Sequence, residues 1–303
     1  MILYKYLSPD RINVLTRRRI RFTQPGEFND PFEARPAFGP ALISDEQAND
    51  AIERGIEHAL DQVLASPEVA ELLRRAGPPT AAGSGLDPRT ALRTFLADSL
   101  KLPDFHATHF GFVRKVLEPI ATGVLRDVWP QKMDENVGLL CLSERADSVL
   151  MWGHYADCHK GLVLGFDSES PFFSKKRGPN DEFGHLRKVV YQQERPTIDF
   201  TIRDSGKLSA MMFHTKSGDW GYEREWRMMR VLTDCTNRID SSPFPICLFE
   251  FQRECLREII IGMRMSQEKI DEVRALAREF PNAMLFRAQA HPTEYALVIE
   301  EIR

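Results

Sequence analysis

Apolar and polar positions along this chain switch between a helical and a strand period, most plainly over residues 137–166. VGLLCL (137–142) and LVLGF (162–166) are continuous apolar runs, the pattern of strands covered on both faces. Between them the polar break 143–148 leads into a helix that Asp147 or Ser148 can cap. Met151, Tyr155 and Cys158 at i, i+4 and i+7 predict one buried helical face, with Trp152, Ala156 and His159 as a neighbouring stripe. Gly161 then lets the chain turn back into the sheet.

The ends of the chain carry the other strands. Residues 2–6 alternate Leu3 against Tyr4 and Tyr6, and RIRFT follows a helix opened by Ser8-Pro9. Strands are predicted at 185–191 and 223–232, with a short helix at 205–216 before the second. Further strands at 246–251, 256–262, 283–289 and 294–301 enclose a helix from Ser266 to about Phe280, whose Ile270, Val273, Ala277 and Phe280 face inward. The middle of the chain is helical: Ile52, Ile56, Leu60 and Val63 share one face, and the Gly/Pro/Ser/Ala stretch 77–88 reads as a mobile loop. The expected fold is a single α+β domain over 1–303. Its sheet body is mixed and largely antiparallel, formed by both chain ends, with a helical insertion at about 40–130.

Composition narrows the class. With 43% hydrophobic and 28% charged residues the chain is ordinary for a globular protein, and a formal net charge of −4 points to neither nucleic acid nor a membrane. No apolar run approaches the ~18 residues of a membrane span, and the start MILYKYLSPDR lacks the features of a signal peptide. Five cysteines without a CxxC pair indicate neither a zinc site nor a disulfide framework, so a reducing, cytoplasmic setting is expected.

Four stretches carry candidate chemistry. In FNDPFE, Asn29-Asp30-Pro31 is turn chemistry, and Phe28 and Phe32 are expected to anchor the loop in the core. The loop is either a buried Asx-turn or one that brings Asn29, Asp30 and Glu33 to a pocket rim. Trp152, His154 and Tyr155 are either aromatic core or groups that stack on a ligand. In EREWRMMRVL a two-residue period puts Glu223, Glu225, Arg227 and Met229 on one face and Arg224, Trp226, Met228 and Arg230 on the other. Such a row of charge belongs to an exposed edge strand or to a site. Arg17-Arg18-Arg19 is the cationic end of a helix or, alternatively, a phosphate site.

LYKYL, FNDPFE, CLSERADSVLMWGHYADCHKGLVLGF and WGYEREWR together resemble a bacterial family called domain of unknown function 2971. A more distant resemblance is to ADP-ribosyltransferases of the arginine–serine–glutamate type, through Lys5 in YKY, Ser143 ending LLCLS, and Glu223-Arg224-Glu225. That resemblance implies an NAD-using transferase or glycohydrolase, acting on a protein or nucleic-acid acceptor as a toxin or defence effector. Lys5 would contact an NAD phosphate and Ser143 would hold the nicotinamide ribose. Glu225 would stabilise the oxocarbenium ion and Glu223 would activate the acceptor. Tyr6, Asn29, Asp30, Trp152, His154 and Tyr155 would complete the NAD pocket. The first-strand arginine of that family is a lysine here, and its Ser-Thr-Ser is Cys141-Leu142-Ser143. Two other readings remain: a metal-dependent nuclease using Asp30, Glu223 and Glu225 for Mg²⁺ with Arg227 or Lys188 on the phosphate, and a non-enzymatic module that binds a protein partner.

Overall fold

Strand β1 (Ile2–Leu7) lies inside the main sheet, hydrogen-bonded on one side to β3 (Val137–Ser143) and on the other to β4 (Leu162–Asp167). The computed structural model describes residues 1–38, 127–176, 178, 181–198 and 204–302. Chain contacts define two compact units: Met1–Ala37 with Arg126–Ile198 and Ile202–Arg303, and Phe38–Leu125 with Asp199–Thr201. The expected insertion at 40–130 and the loop at 77–88 lie outside the described residues, apart from a helix over 127–136.

β1 is followed by helix α1 (Asn13–Arg17) and strand β2 (Arg19–Phe22). After β3 come helix α2 (Val149–Tyr155), β4, and the short strands β5 (Leu186–Lys188) and β6 (Val190–Gln192). Helix α3 (Ser205–Phe213), β7 (Thr215–Ser217) and β8 (Glu225–Val231) lead to β9 (Asn237–Ile239) and β10 (Ile246–Glu250). The chain closes with β11 (Leu256–Ile261), α4 (Gln267–Ala277), β12 (Met284–Ala290) and β13 (Leu297–Glu301).

The main sheet has eight strands in the order β13-β12-β11-β4-β1-β3-β8-β5. Within it only β11 and β12 run parallel, joined by α4 as a crossover helix, so the fold is α+β with a mixed, mostly antiparallel sheet, as expected. A second sheet, β9-β10-β2, packs Phe22 and Phe249 against Phe172 and Phe251. Alternation along β1 divides the interior. Leu3 and Leu7 join Leu140, Leu142, Leu162 and Leu164 in the larger apolar cluster. Tyr4 and Tyr6 turn to the other face, where Met151, Trp152, Val163 and Ile260 gather.

Several local expectations need correction. Helix α2 ends at Tyr155, because Asp157, Cys158 and His159 all take left-handed backbone, φ 45°, 51° and 71°. Cys158 is therefore exposed and not on a buried helical face. The early turn brings Gly161 against β1 so closely that a Cβ there would lie 2.0 Å from the Leu7 carbonyl oxygen. Ser148 does cap α2, accepting from the Met151 N–H. Ser8 caps no backbone and spends its hydroxyl on Asp10; a 3-10 turn (Pro9–Arg11) precedes α1. The predicted strand 185–191 is two strands with different neighbours, β5 on β8 and β6 on β7. The predicted helix 205–216 stops at Phe213. Phe32 is 57% exposed and Phe28 only part-buried, so neither aromatic is the anchor of FNDPFE.

Candidate functional site

Glu33 is that anchor. Asp30 accepts from the Phe32 N–H, and the Glu33 N–H bonds the Asp30 carbonyl, making the expected Asx-turn. The turn delivers the Glu33 carboxylate into the interior, where it meets Arg227 from the middle of β8. Arg227 has no exposed surface, and each of its five N–H donors has a partner. Two go to Glu33 at 2.5 and 2.9 Å, two to Glu225 at 2.6 and 2.9 Å, and one to the Phe213 carbonyl at 2.7 Å.

The second cation is Lys216 on β7, which the predicted helix had hidden. Its Nζ donates to Glu223 at 2.6 Å and to Glu225 at 3.2 Å, and lies 3.6 Å from Glu33. It also sits over the Trp220 ring. Glu223 is not on the strand, as the two-residue period had placed it. It ends the 3-10 turn Gly218–Glu223, and Arg224 then takes a left-handed conformation (φ 44°) before Glu225 begins β8. That kink lets both glutamates converge on one lysine.

Three carboxylates and two cations are thus buried together, which leaves one negative charge in excess among the described residues. Burial alone would raise the Glu225 pKa, but Arg227 and Lys216 outweigh it and hold the carboxyl well below its usual range. Glu223 goes the other way: burial and the charge of Glu225 lift it, and Lys216 pulls back only in part. Glu225 is therefore the fixed anion of the cluster, and Glu223 is the carboxyl poised to exchange a proton.

Glu223 also faces a recess. Its walls include Tyr4, Tyr6, Cys141, Ser143, Tyr155 and Glu225, and its volume of about 90 Å³ is the share of about three waters. Only the reacting end of a ligand would enter it. The Tyr155 hydroxyl donates to Glu223 at 2.6 Å and accepts from Asn29 at 3.3 Å; burial, then the Glu223 charge, raise its pKa. Ser143 lies directly across from both Tyr4 and Glu225 on the neighbouring strands. Its hydroxyl donates to the Glu223 carbonyl at 2.6 Å and accepts from the Arg145 N–H. Ser143 thereby fixes the turn that carries Glu223. Burial, then Glu225, push the Cys141 thiol up.

Of the residues expected at a site, Glu223, Glu225, Ser143, Tyr6 and Tyr155 share this recess, with Asn29 one hydrogen bond behind Tyr155. Asp30 is buried in its own turn. Trp152 is fully buried: it donates to the Ala146 carbonyl and packs edge-on against Tyr6, so it is core and not a stacking platform. His154 is exposed beside Tyr155 and Tyr222 and does not line the recess. Lys5 borders the recess, but strand alternation puts its side chain on the opposite face from Tyr4, where its Nζ bonds the Cys141 carbonyl. Sequence reasoning missed Lys216. A lysine set between Phe213 and Trp220 was the signal that could have found it. Among the described residues no group of three His, Cys, Asp or Glu side chains could hold a metal ion, and no helix is long and apolar enough to cross a membrane.

Fold and site define an α+β protein organised around a buried cluster of carboxylates and cations beside a tyrosine-lined recess. A family model described as Protein of unknown function (DUF2971) matches residues 151–228, from α2 into β8. It spans Tyr155, Lys216, Glu223, Glu225 and Arg227. No curated protein and no solved structure matches the chain, so the resemblance to ADP-ribosyltransferases rests on the motif residues alone.

Proposed function

We propose that the chain is an NAD-consuming enzyme that breaks the bond between nicotinamide and ribose, passing ADP-ribose to water or to an acceptor hydroxyl. The observation that carries this reading is the excess negative charge of the buried cluster, located at Glu223 where it meets the recess. As the C1′–N bond breaks, its electron pair leaves with nicotinamide and the ribosyl ring becomes cationic. A preorganised anion in a site shielded from water stabilises that cation far more than it would in solution. Attack by water or the acceptor hydroxyl then forms the new bond to C1′, and the proton released goes to Glu223. The raised pKa of Glu223, set by burial and by the charge of Glu225, suits it to take that proton.

This assignment shifts roles relative to the family resemblance. Glu225, clamped by Arg227 and Lys216, acts as a positioning residue that holds the field. Tyr155 and Lys216 orient the Glu223 carboxylate from its two oxygens.

The test is nicotinamide release, measured chromatographically after incubating the protein with NAD, alone and with cell extract as a source of acceptor. Glu223→Gln keeps the shape and removes the charge. It should lower release about a hundredfold to a thousandfold while leaving the melting temperature intact. A wild-type protein that releases no nicotinamide with any extract would end this reading.

A further inference from the structure

A further cavity lies on the other side of β1, between α1, β2 and β10, and its volume is about 210 Å³. Five cationic side chains line it: Lys5, Arg11, Arg17, Arg19 and Arg21. No Asp or Glu is among the described residues of its wall. The arginine run at 17–19 is split by its backbone. Arg18 takes a left-handed conformation at the end of α1 and turns outward to Glu250, while Arg17 and Arg19 line the cavity.

Of the four arginines that line it, Arg21 alone has a carboxylate partner among the described residues, Glu27. The Nε atoms of Arg19 and Arg21 are buried without any hydrogen-bond partner. Burial, then the charge of Arg11, push the Arg21 pKa down, so these cations do repel one another. Like charges gathered around one concave site with orphaned donors cost stability unless an anion completes it.

We propose that this cavity binds a compact polyanion, a small molecule carrying two or more linked phosphate groups. The convergence of the cations on one cavity sets this apart from a nucleic-acid surface, where they would spread along a face. The volume is the share of about seven waters, room for a diphosphate and not for a dinucleotide. Val14, Ile246 and Leu248 give it an apolar wall, against which the rest of the molecule would lie. Lys5 borders both this cavity and the Glu223 recess, but the arginines line only this one, and the proposal does not depend on the NAD reading.

Calorimetric titration tests it with inorganic pyrophosphate, ADP, orthophosphate and a single-stranded oligonucleotide as probes. Pyrophosphate and ADP should bind at least tenfold more tightly than orthophosphate, with affinity falling as salt rises. The double variant Arg17→Gln/Arg19→Gln should weaken both at least tenfold. Arg17→Gln alone, at an exposed position, should weaken them by a smaller factor without loss of fold. Arg253→Gln, whose arginine pairs with Glu279 away from the cavity, should change nothing. The proposal is overturned if neither pyrophosphate nor ADP binds at millimolar concentration, or if orthophosphate binds as well as they do. Binding of the oligonucleotide alone overturns it in favour of a nucleic-acid surface.

Discussion

Arg227 reaches Glu33 across 194 positions of sequence through two parallel hydrogen bonds of 2.5 and 2.9 Å. Neither group has solvent to fall back on, since their side chains are 0% and 1% exposed. The pair ties the FNDPFE turn to the middle of β8. Replacing Glu33 by glutamine leaves the two cations matched by Glu223 and Glu225, but it sets an amide N–H against an Arg227 N–H, and a buried donor without a partner costs about 1–3 kcal/mol. Glu33→Gln is therefore expected to lower stability by about that amount in a denaturant titration. A loss under 1 kcal/mol would show that Arg227 is satisfied by Glu225 alone.

Gly161 is set by contact, not by conformation. A methyl group at this position would meet the Leu7 carbonyl oxygen at 2.0 Å and the Ala156 Cα at 3.1 Å, both backbone atoms that cannot swing aside. Gly161→Ala should cost about 2–3 kcal/mol, in the range of overpacked cores. Gly153→Ala, where a Cβ meets nothing within 4 Å, is the internal control and should be neutral or slightly stabilising in thermal melts.

Tyr155 joins Asn29 to Glu223 through one hydroxyl. Tyr155→Phe removes that bridge at a stability cost of about 1 kcal/mol. Glu223 loses its donor at Oε1, which disfavours its ionised form, so any nicotinamide release should fall and its pH optimum should rise. Loss of stability with an unchanged pH profile would leave Tyr155 with a packing role only.

The strands were readable where the pattern was local. VGLLCL and LVLGF are apolar on both faces, and they appear as β3 and β4 with little change at their ends. The two-residue period also put Glu225 and Arg227 on one face, as found. What remained hidden were the long-range partners. Glu33 completes the cluster from a turn and Lys216 from β7; Phe213 and Trp220 hint that Lys216 is buried, but no local pattern says that the two meet at Arg227 and Glu225. Arg224 broke the period because a left-handed residue at a non-glycine position leaves no mark in sequence. Trp152 and His154 looked alike as aromatic candidates, yet a short helix turned one into the core and the other to solvent.

Glu223 and Glu225 are two residues apart and respond to pH in opposite senses. The folded-state pKa of Glu225 is depressed, so its contribution to stability is present above the unfolded value of about 4.3 and is lost as pH falls through the folded one. The pKa of Glu223 is raised, so its contribution is fully present below about 4.3 and is lost as pH rises through the folded value. At pH 8 Glu225→Gln should therefore destabilise by about 3 kcal/mol, since Arg227 and Lys216 lose a shared anion. Glu223→Gln should instead leave stability unchanged or raise it, because it removes the excess negative charge. At pH 4 the wild-type Glu223 already holds its proton, so Glu223→Gln and wild type should melt together. Thermal melts of the three proteins from pH 4 to pH 8 check this. If Glu223→Gln lost as much stability at pH 8 as Glu225→Gln, the two carboxylates would be equivalent halves of one ion cluster. Glu223 would then have no free charge to offer a developing cation.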